Sequence, residues 1–337
     1  MSQSLSRIMM LAIIALLLAG CDSNPTDSNN TAAEGLFILN GSAQTVSHID
    51  LSTDEVTLQF ANAREIPADI DILGEHLLVL NSTPASMDVF LVESGNSVST
   101  INFPGGSNPY NLYVDGNFIY VTGWNSGQLY IVNAGSYSVE DSVAVGIGPQ
   151  GITSNDDYIF VANTGGWPDY ASSSVSVISK VDFSVTNTID VSTNPQNFAW
   201  SDDGKLHVVC TGNYNDIFGK VDVLNVSSMA VDTTLEFGGT PGFIESASDG
   251  KVYLADAGDA DHGFLYAYDA TDYTIYNDNE SPISVNNGAM DMVFDDSEEL
   301  LYIANYNANT VQSFNATIHE VVQTFEVSDG PQTLALW

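Results

Sequence analysis

The chain repeats itself seven times. A short apolar stretch that ends in a small or polar residue recurs every 40 to 49 residues. Its closing positions are Asn40, Asn81, Gly123, Asn163, Cys210, Asp256 and Asn305. A repeat of this length overrides the two-domain organisation that 337 residues alone would suggest, because one such unit cannot bury a core by itself.

A second marker keeps the same phase. Proline recurs at Pro67, Pro109, Pro149, Pro195, Pro241 and Pro331, and Ala289 stands where a seventh is expected. Three residues after each marker comes an apolar side chain: Ile70, Leu112, Ile152, Phe198, Ile244, Met292 and Leu334. Two independent markers that agree seven times indicate one repetitive architecture.

The segments between the markers have the pattern of strands. Residues 175–178 and 186–191 alternate and are rich in Val, Ile and Thr, and Asp202-Asp203-Gly204 is typical of a turn. Four strands per unit predict an all-β fold, a seven-bladed β-propeller with four-stranded antiparallel blades. The first unit begins at its second strand, and a lone first strand follows Pro331. We therefore expect the C-terminal strand to close blade one.

The repeat resembles that of the YVTN-type propellers found in bacterial surface and periplasmic proteins. The similarity rests on Pro149-Gln150-Gly151-Ile152, Tyr120-Val121-Thr122, Phe160-Val161-Ala162-Asn163 and Asn309-Thr310-Val311, and it extends over residues 34 to 337. The resemblance implies a fold and an exported protein. It does not imply an activity, because one fold carries many functions.

The N-terminus has the features of an export signal. Arg7 precedes an apolar run over residues 8–18, and Leu18-Ala19-Gly20-Cys21 resembles a bacterial lipobox. This pattern predicts a lipoprotein signal peptide over 1–20, a lipidated Cys21 with a flexible tether over 21–34, and one propeller over 35–337. The protein would then be anchored to the bacterial cell envelope, at the outer membrane and cell surface or on the periplasmic side. The alternative is an ordinary signal peptide with an incidental cysteine.

The charge balance excludes two classes of partner. The chain has 43 Asp and Glu residues against six Lys and Arg residues, which gives a net charge of −37. Nucleic acids and anionic lipid surfaces both need a basic patch, and so few cations cannot form one. We therefore expect no nucleic-acid binding, and contact with a membrane only through the lipid anchor.

The resemblance also places the candidate site. In such propellers the proline loops and the loops after the second strands converge on one face around the central channel. The candidate ligand-binding residues on these loops are Tyr110, Trp124, Asn125, Gln150, Trp167, Tyr170, Gln196, Tyr214, Phe218, His262, Tyr306 and Gln332. Aromatic and amide side chains suit a bulky neutral or polar ligand. The alternative is that these aromatic residues only pack their own loops.

Motifs for catalysis and for transition metals are missing from the sequence. There is no HExxH, CxxC or GxSxG, and the five histidines are scattered. We therefore expect neither an enzyme nor a cofactor. One acidic loop allows Ca²⁺ as an alternative, through Asp256, Asp259 and Asp261, although a solvated loop also accounts for it.

Three functional hypotheses remain. The first is a non-catalytic, monomeric binding protein that captures a bulky small molecule, such as a corrinoid (cobalamin), for an outer-membrane transporter; a subgroup of similar surface lipoproteins does this. The second is a surface-layer or protein-interaction module of the cell envelope. The third is a lactonase-like or quinoprotein-like propeller enzyme.

Overall fold

The described part of the chain, residues 34–337 of a computed structural model, is all-β and contains no helix. Its 29 strands form seven antiparallel sheets. This confirms the predicted fold class. The predicted signal peptide, Cys21 and all of the tether except Glu34 lie outside the described residues.

The strands follow one another in blade order. Blades one to three contain β1 (Gly35–Asn40), β2 (Thr45–Asp50), β3 (Glu55–Asn62), β4 (Ile66–Leu73), β5 (His76–Thr83), β6 (Ser86–Leu91), β7 (Ser97–Asn102), β8 (Pro109–Asp115), β9 (Phe118–Gly123), β10 (Gln128–Asn133) and β11 (Ser138–Ala144). Blades four and five contain β12 (Pro149–Ser154), β13 (Tyr158–Asn163), β14 (Ser174–Ser179), β15 (Val185–Asp190), β16 (Pro195–Trp200), β17 (Leu206–Cys210), β18 (Lys220–Asn225) and β19 (Ala230–Glu236). Blades six and seven and the closing strand contain β20 (Phe243–Ser246), β21 (Lys251–Asp256), β22 (Gly263–Asp269), β23 (Ile275–Asn277), β24 (Ile283–Val285), β25 (Ala289–Asp295), β26 (Leu300–Asn305), β27 (Thr310–Asn315), β28 (Glu320–Glu326) and β29 (Pro331–Leu336).

Burial decreases from the second strand of each blade towards its outer edge. Strand β1 is buried along its whole length, whereas β11 is exposed at almost every position. The apolar side chains of neighbouring blades pack against one another, as Leu78 of blade two does with Val121 and Tyr130 of blade three. Full burial of such a side chain contributes roughly 1.5–3 kcal/mol. The core is therefore a ring of interfaces between blades.

The ring closes through blade one, as predicted. Its sheet has the order β29-β1-β2-β3, so the C-terminal strand is the innermost strand of the blade in which the described chain begins. Backbone hydrogen bonds complete the seam, since Trp337 N donates to Gly35 O at 2.9 Å. The pairing leaves no open edge on β1.

A bulge follows the residue that begins most of the inner strands. The register shifts between Pro109 and Leu112, between Pro149 and Ile152, and between Ala289 and Asp291. A proline cannot donate to the ladder, and a bulge redirects the side chains that follow it. The one or two residues after each marker are therefore free to face the central channel.

Blade six departs from the pattern of four strands. Its outer strand is split into β23 and β24, and both pair with β22. The break contains Pro282, which has no backbone N–H to donate. The break adds to the wide spacing of 49 residues between Asp256 and Asn305.

The two faces of the ring differ. Inner strands begin and second strands end on one face, which we call the loop face. Pro331 lies beside Asn40 on this face, whereas Leu336 pairs with Leu36 at the opposite face. Glu34 also lies at the opposite face, where its backbone N–H donates to Trp337 O at 2.6 Å.

Candidate functional site: the channel mouth and its aromatic rim

A cavity of about 250 Å³ opens where the inner strands meet at the loop face. Tyr110, Gln150, Gln196 and Gln332 line it, and each follows a proline directly. The bulges described above turn these side chains towards the axis. Four of the twelve predicted ligand-binding residues thus share one cavity.

Three amide side chains in the wall donate to protein oxygens. Asn111 donates through Nδ2 to Asp69 Oδ2 at 2.7 Å, and Asn197 donates to Gly242 O at 3.1 Å. Gln196 donates through Nε2 to Asn194 Oδ1 at 2.7 Å. Within residues 34–337 the side-chain oxygens of Asn111, Asn197 and Gln196 have no hydrogen-bond donor. The Gln150 amide and the Tyr110 hydroxyl also have no hydrogen-bond partner among these residues, so the cavity offers both donors and acceptors to an occupant.

Carboxylates lie on the inner strands beside the channel, and each accepts from a backbone N–H of the next blade. Asp69 accepts from Leu112 N at 2.8 Å and Asp71 from Val114 N at 3.0 Å. Glu245 accepts from Phe294 N at 3.2 Å, and Asp291 from Leu334 N at 2.8 Å, a contact that joins blade seven to the closing strand. These bonds satisfy backbone donors of the innermost strands, which have no neighbouring strand on the channel side.

Burial raises the pKa of all four carboxyl groups. The pKa of Asp71 rises to about 6, that of Asp291 to about 7 and that of Glu245 to about 8. The pKa of Asp69 rises well above its usual range, first through burial and then through the nearby charges of Asp291 and Asp71. Asp71, Glu245 and Asp291 keep part of their surface open, although protein surrounds them on the other sides.

No Lys or Arg of the described chain lines the cavity. All five described cations are committed to carboxylates elsewhere on the blades, in the pairs Arg64–Asp88, Lys180–Asp115, Lys205–Asp232, Lys220–Glu236 and Lys251–Asp249. Among the described residues, the lining of the cavity therefore carries neither a basic nor an acidic side chain.

An exposed apolar surface borders the cavity. We call it the aromatic patch, and it consists of Ile147, Trp167, Tyr170, Tyr214 and Phe218. The exposed fraction is 76% for Trp167, 61% for Tyr214 and 55% for Phe218. The rings of Tyr170 and Tyr214 lie 6.4 Å apart, and Tyr214 is close enough to Tyr110 to raise the pKa of that phenol further, after burial. Through Tyr214 and Tyr170 the patch thus lies next to the rim of the cavity.

Three other predicted residues lie outside the cavity, in loops of blades three and seven. Trp124 is half-buried beside Gly148, and Asn125 next to it is exposed. Tyr306 is bonded through its hydroxyl to Ser42 Oγ at 2.9 Å, across the boundary between blades seven and one. Packing within and between loops, the alternative interpretation, therefore accounts for Trp124 and Tyr306.

The acidic loop of blade six does not gather its side chains. Asp256 is buried and accepts from Tyr266 Oη at 2.9 Å and from Gly258 N at 2.9 Å. Asp259 and Asp261 are exposed, and exposed His262 lies 3.9 Å from the Asp259 carboxylate. Among residues 34–337 no three His, Cys, Asp or Glu side chains are grouped in a way that could hold a metal ion.

The sequence interpretation missed the second residue after each marker. Asn111, Asn197, Phe243 and Thr333 stand at this position and line the cavity. Met290, one residue after Ala289, lines it as well. The phase of the markers carried this information, because equivalent positions of a repeat face the same way.

The comparisons with known proteins support the fold alone. No family model and no curated protein matches the chain, so its membership of the YVTN-type family stays a prediction. A Bacteroides fragilis protein provisionally assigned as a 6-phosphogluconolactonase is 13% identical with a TM-score of 0.73, over 92% of this chain and 99% of that one. A protein of unknown function from Desulfotomaculum acetoxidans is 13% identical with a TM-score of 0.72, over 90% and 99%. Hydrazine synthase of Kuenenia stuttgartiensis is 15% identical with a TM-score of 0.66, over 80% and 89%.

Within residues 34–337, no helix is long and apolar enough to cross a membrane.

Proposed function

We propose that the protein is a non-catalytic binding protein that holds its ligand on the loop face, over the channel mouth and the aromatic patch. The observation that carries this proposal is an uncharged cavity whose Tyr110 lies near Tyr214, with Trp167 and Phe218 also exposed on loops of blades four and five. Monomeric proteins rarely leave such large aromatic side chains together in water unless the surface has a partner. Aromatic residues are also the side chains that contribute most at binding surfaces.

The chemistry around the channel supports binding rather than turnover. The four carboxyl groups with raised pKa values each accept a backbone hydrogen bond from the next blade, so they already connect the blades. Among the described residues, no His or Cys lines the wall. The wall contains one serine, Ser82, and its hydroxyl donates to Pro109 O at 2.6 Å. A nucleophile needs a base within hydrogen-bond reach, and Ser82 meets a carbonyl instead.

Lactonase activity, suggested by the name of one structural neighbour, fits this cavity poorly. A 6-phosphogluconolactone carries a phosphate, and phosphate sites use Arg, Lys or backbone N–H groups. The wall here offers neutral amide groups and aromatic rings, and every described cation is paired on a blade. The chemistry of the wall favours neutral ligands over anions.

We further propose that the protein is exported and lipid-anchored through Cys21 to the cell envelope. The sequence of residues 1–21 supports this. Labelling with a radioactive or clickable fatty acid tests it, because Cys21→Ser abolishes incorporation if Cys21 is the acylated residue. Incorporation that persists in Cys21→Ser contradicts the proposal.

A corrinoid is the specific ligand that the sequence resemblance implies. Such a molecule is far larger than a cavity of about 250 Å³, so its ring would cover the aromatic patch and only a peripheral group would enter the cavity. Peripheral amides would suit the unpaired oxygens of Asn111, Asn197 and Gln196. An outer-membrane transporter would then be the partner that receives the ligand.

Equilibrium titration with cyanocobalamin tests the corrinoid proposal. We expect binding in the micromolar range or tighter, weakened by Trp167→Ala and by Tyr214→Ala. Tyr276→Ala is the matched control, because Tyr276 is 48% exposed on the outer strand of blade six, away from the loop face. Absence of binding at micromolar concentration overturns the corrinoid ligand. An equal loss of cyanocobalamin affinity in Tyr276→Ala contradicts the location of the binding site on the loop face.

The exposed patch also favours a second candidate, a module that binds another envelope protein. Ile147, Trp167 and Phe218 would then form the apolar centre of a protein interface. Co-purification from membranes separates the two candidates. A stable protein partner that is lost in Trp167→Ala, without any small-molecule binding, favours the interface.

A further inference from the structure

A second cavity lies where the ring closes, on the face opposite the loop face. It measures about 370 Å³ and lies between the turn that follows β2 of blade one and the strands of blade seven. We call it the seam cavity. Leu51 in its wall donates its backbone N–H to Glu34 O at 3.3 Å, so the cavity adjoins the point where the described chain enters the ring. It is therefore a site separate from the channel mouth.

Two buried hydroxyl groups open into the seam cavity. Tyr302 of β26 and Ser313 of β27 lie directly opposite each other in the sheet, and only 4% and 2% of their surfaces are exposed. Both line the cavity, and within the described chain neither hydroxyl has a hydrogen-bond partner. Buried hydroxyl groups are normally paired. The two groups therefore indicate an occupant that forms hydrogen bonds at this wall.

Three carboxylates surround the Tyr302 hydroxyl. Asp54, Asp295 and Glu298 line the same cavity. They raise the pKa of the Tyr302 phenol to about 12, together with burial, which is the larger cause. Asp295 is itself buried, and its Oδ1 accepts from Ser297 N at 2.9 Å and from Ser297 Oγ at 2.7 Å. Its Oδ2 has no donor among residues 34–337 and remains available to an occupant.

The charge of the seam cavity favours a cation. Its lining contains three acidic side chains, and none of the described residues in the lining is Lys, Arg or His. The five described cations pair with other carboxylates on the blades. Like charges in one cavity repel each other, and a positive group placed among them offsets this repulsion.

The shape and the apolar wall favour an organic cation over a metal ion. Calcium needs six to eight oxygen ligands at about 2.3–2.6 Å, and the part of the chain that the structure describes contains no group of three His, Cys, Asp or Glu side chains that could hold a metal. Leu51, Leu300, Val322 and Phe325 supply apolar surface that an alkyl chain can bury. The volume lies within the range of roughly 300–1,000 Å³ that is usual for small-molecule sites.

We propose that the seam cavity binds a linear aliphatic amine. Its ammonium group lies among the three carboxylates and donates to Asp295 Oδ2 and to the hydroxyl oxygen of Tyr302, and its alkyl chain lies on the apolar wall. The site is on the opposite face from the proposed ligand-binding surface, so this inference goes beyond the proposed function and does not depend on it.

Calorimetric titration of the full chain with 1,5-diaminopentane and with 1,5-pentanediol tests the ligand chemistry. The diol has almost the same length and carries no charge. The titration is made in 150 mM NaCl, because this salt screens diffuse attraction beyond about 8 Å. We expect the diamine to bind at least tenfold more tightly than the diol, since hydrogen bonds between charged groups are the stronger ones. Equal affinity for the diol, or no binding of the diamine at millimolar concentration, overturns the inference.

Substitutions locate the diamine site. Tyr302→Phe removes only the hydroxyl, and Glu298→Gln removes one charge from an exposed side chain. Each should weaken diamine binding about fivefold or more. Glu140→Gln is the matched control, because Glu140 is exposed on β11 of blade three, away from the seam, and this variant should bind as the wild type does.

Thermal unfolding verifies that all three variants fold. Unchanged diamine affinity in Tyr302→Phe or in Glu298→Gln overturns the assignment of the site, and an equal loss in Glu140→Gln shows diffuse attraction to an acidic surface instead. Trp167→Ala should leave diamine binding unchanged, whereas it should weaken binding at the loop face. The proposed function and this inference can therefore fail separately.

Discussion

The carboxylate of Asp291 accepts a hydrogen bond of 2.8 Å from the backbone N–H of Leu334 and so joins blade seven to the strand that closes the ring. Three further carboxylates make the same kind of contact between inner strands. The acidic side chains of the channel therefore serve as joints between blades. Their burial, and the cost of ionising them, follows from this role.

The stability of the ring should fall as the pH rises from about 4 to about 8. The pKa values of Asp291 and Glu245 are about 7 and about 8 in the folded protein, above the ordinary value near 4. The folded state then holds protons that the unfolded state releases, so the free energy of unfolding is greatest at low pH and decreases until the pH passes the folded pKa. Asp291→Asn and Glu245→Gln keep an acceptor oxygen and remove the charge. Both should flatten this decrease in urea unfolding measured at pH 5 and pH 8, and an unchanged slope would contradict the assignment.

The closing strand should be required for folding. Leu334 is buried, with 8% of its surface exposed, and it packs between the first and last blades. Leu334→Ala should lower the free energy of unfolding by about 2–4 kcal/mol through the cavity that it leaves. Deletion of residues 331–337 should abolish the cooperative transition, because β1 then has an unpaired edge. Chemical unfolding followed by circular dichroism measures both effects, and a truncated chain that unfolds as cooperatively as the wild type would refute this role.

The ion pair between Arg64 and Asp88 should contribute more to the free energy of unfolding than the other ion pairs do. Asp88 is buried at 5% exposure and receives Arg64 Nε at 2.5 Å and Nη2 at 2.6 Å. Arg64→Met should cost about 2 kcal/mol, less than the loss of one partner from a fully buried pair, because the guanidinium side chain is 40% exposed. Asp88→Asn in the same background should restore part of the stability. Lys220→Met removes an exposed pair and is the control, with no measurable change expected.

Salt should stabilise the protein. The sequence carries 43 acidic residues against six basic ones, and the five described cations are already paired. Repulsion among the remaining carboxylates opposes the compact state, and counterions screen it with a Debye length of about 10 Å at 0.1 M salt. The melting temperature should therefore rise between 20 mM and 500 mM NaCl. Sodium sulfate also strengthens hydrophobic burial, so NaCl is the appropriate salt, and a flat response would show that the repulsion is unimportant.

Truncation of the aromatic patch should separate binding from folding. Trp167 is 76% exposed, and Trp167→Ala should change the free energy of unfolding by no more than about 0.5 kcal/mol. The same substitution should weaken the affinity for a ligand or partner at least tenfold, which is about 1.4 kcal/mol. An exposed aromatic side chain of this size contributes mainly to binding. Parallel measurement of unfolding and binding distinguishes a binding role of Trp167 from a packing role. A large loss of stability would mean that Trp167 packs its own loop.

The periodic part of the molecule could be predicted from the sequence. The two markers located every second strand and the start of every inner strand, and they placed Tyr110, Gln150, Gln196 and Gln332 at the channel. The remaining features depend on contacts between distant residues. That Asn111 would use its amide on Asp69, or that Asp256 would be held by Tyr266, follows from how the blades pack, and no local pattern reports it.

The break in blade six illustrates the same limit. Proline at position 282 is compatible with a loop, a strand start or an edge strand, and only the packing of β22 decides among them. Composition likewise gave the total charge but not its distribution. Carboxyl groups with raised pKa values are grouped on the inner strands of blades two, six and seven, and this grouping arises only when the ring closes.

Closure of blade one also determines where the chain enters the ring. Glu34 and Trp337 meet at the face opposite the channel mouth, one strand of six residues (about 20 Å) away from the level of the site. The described chain therefore enters the ring on the back, and its entry point leaves the channel mouth unobstructed.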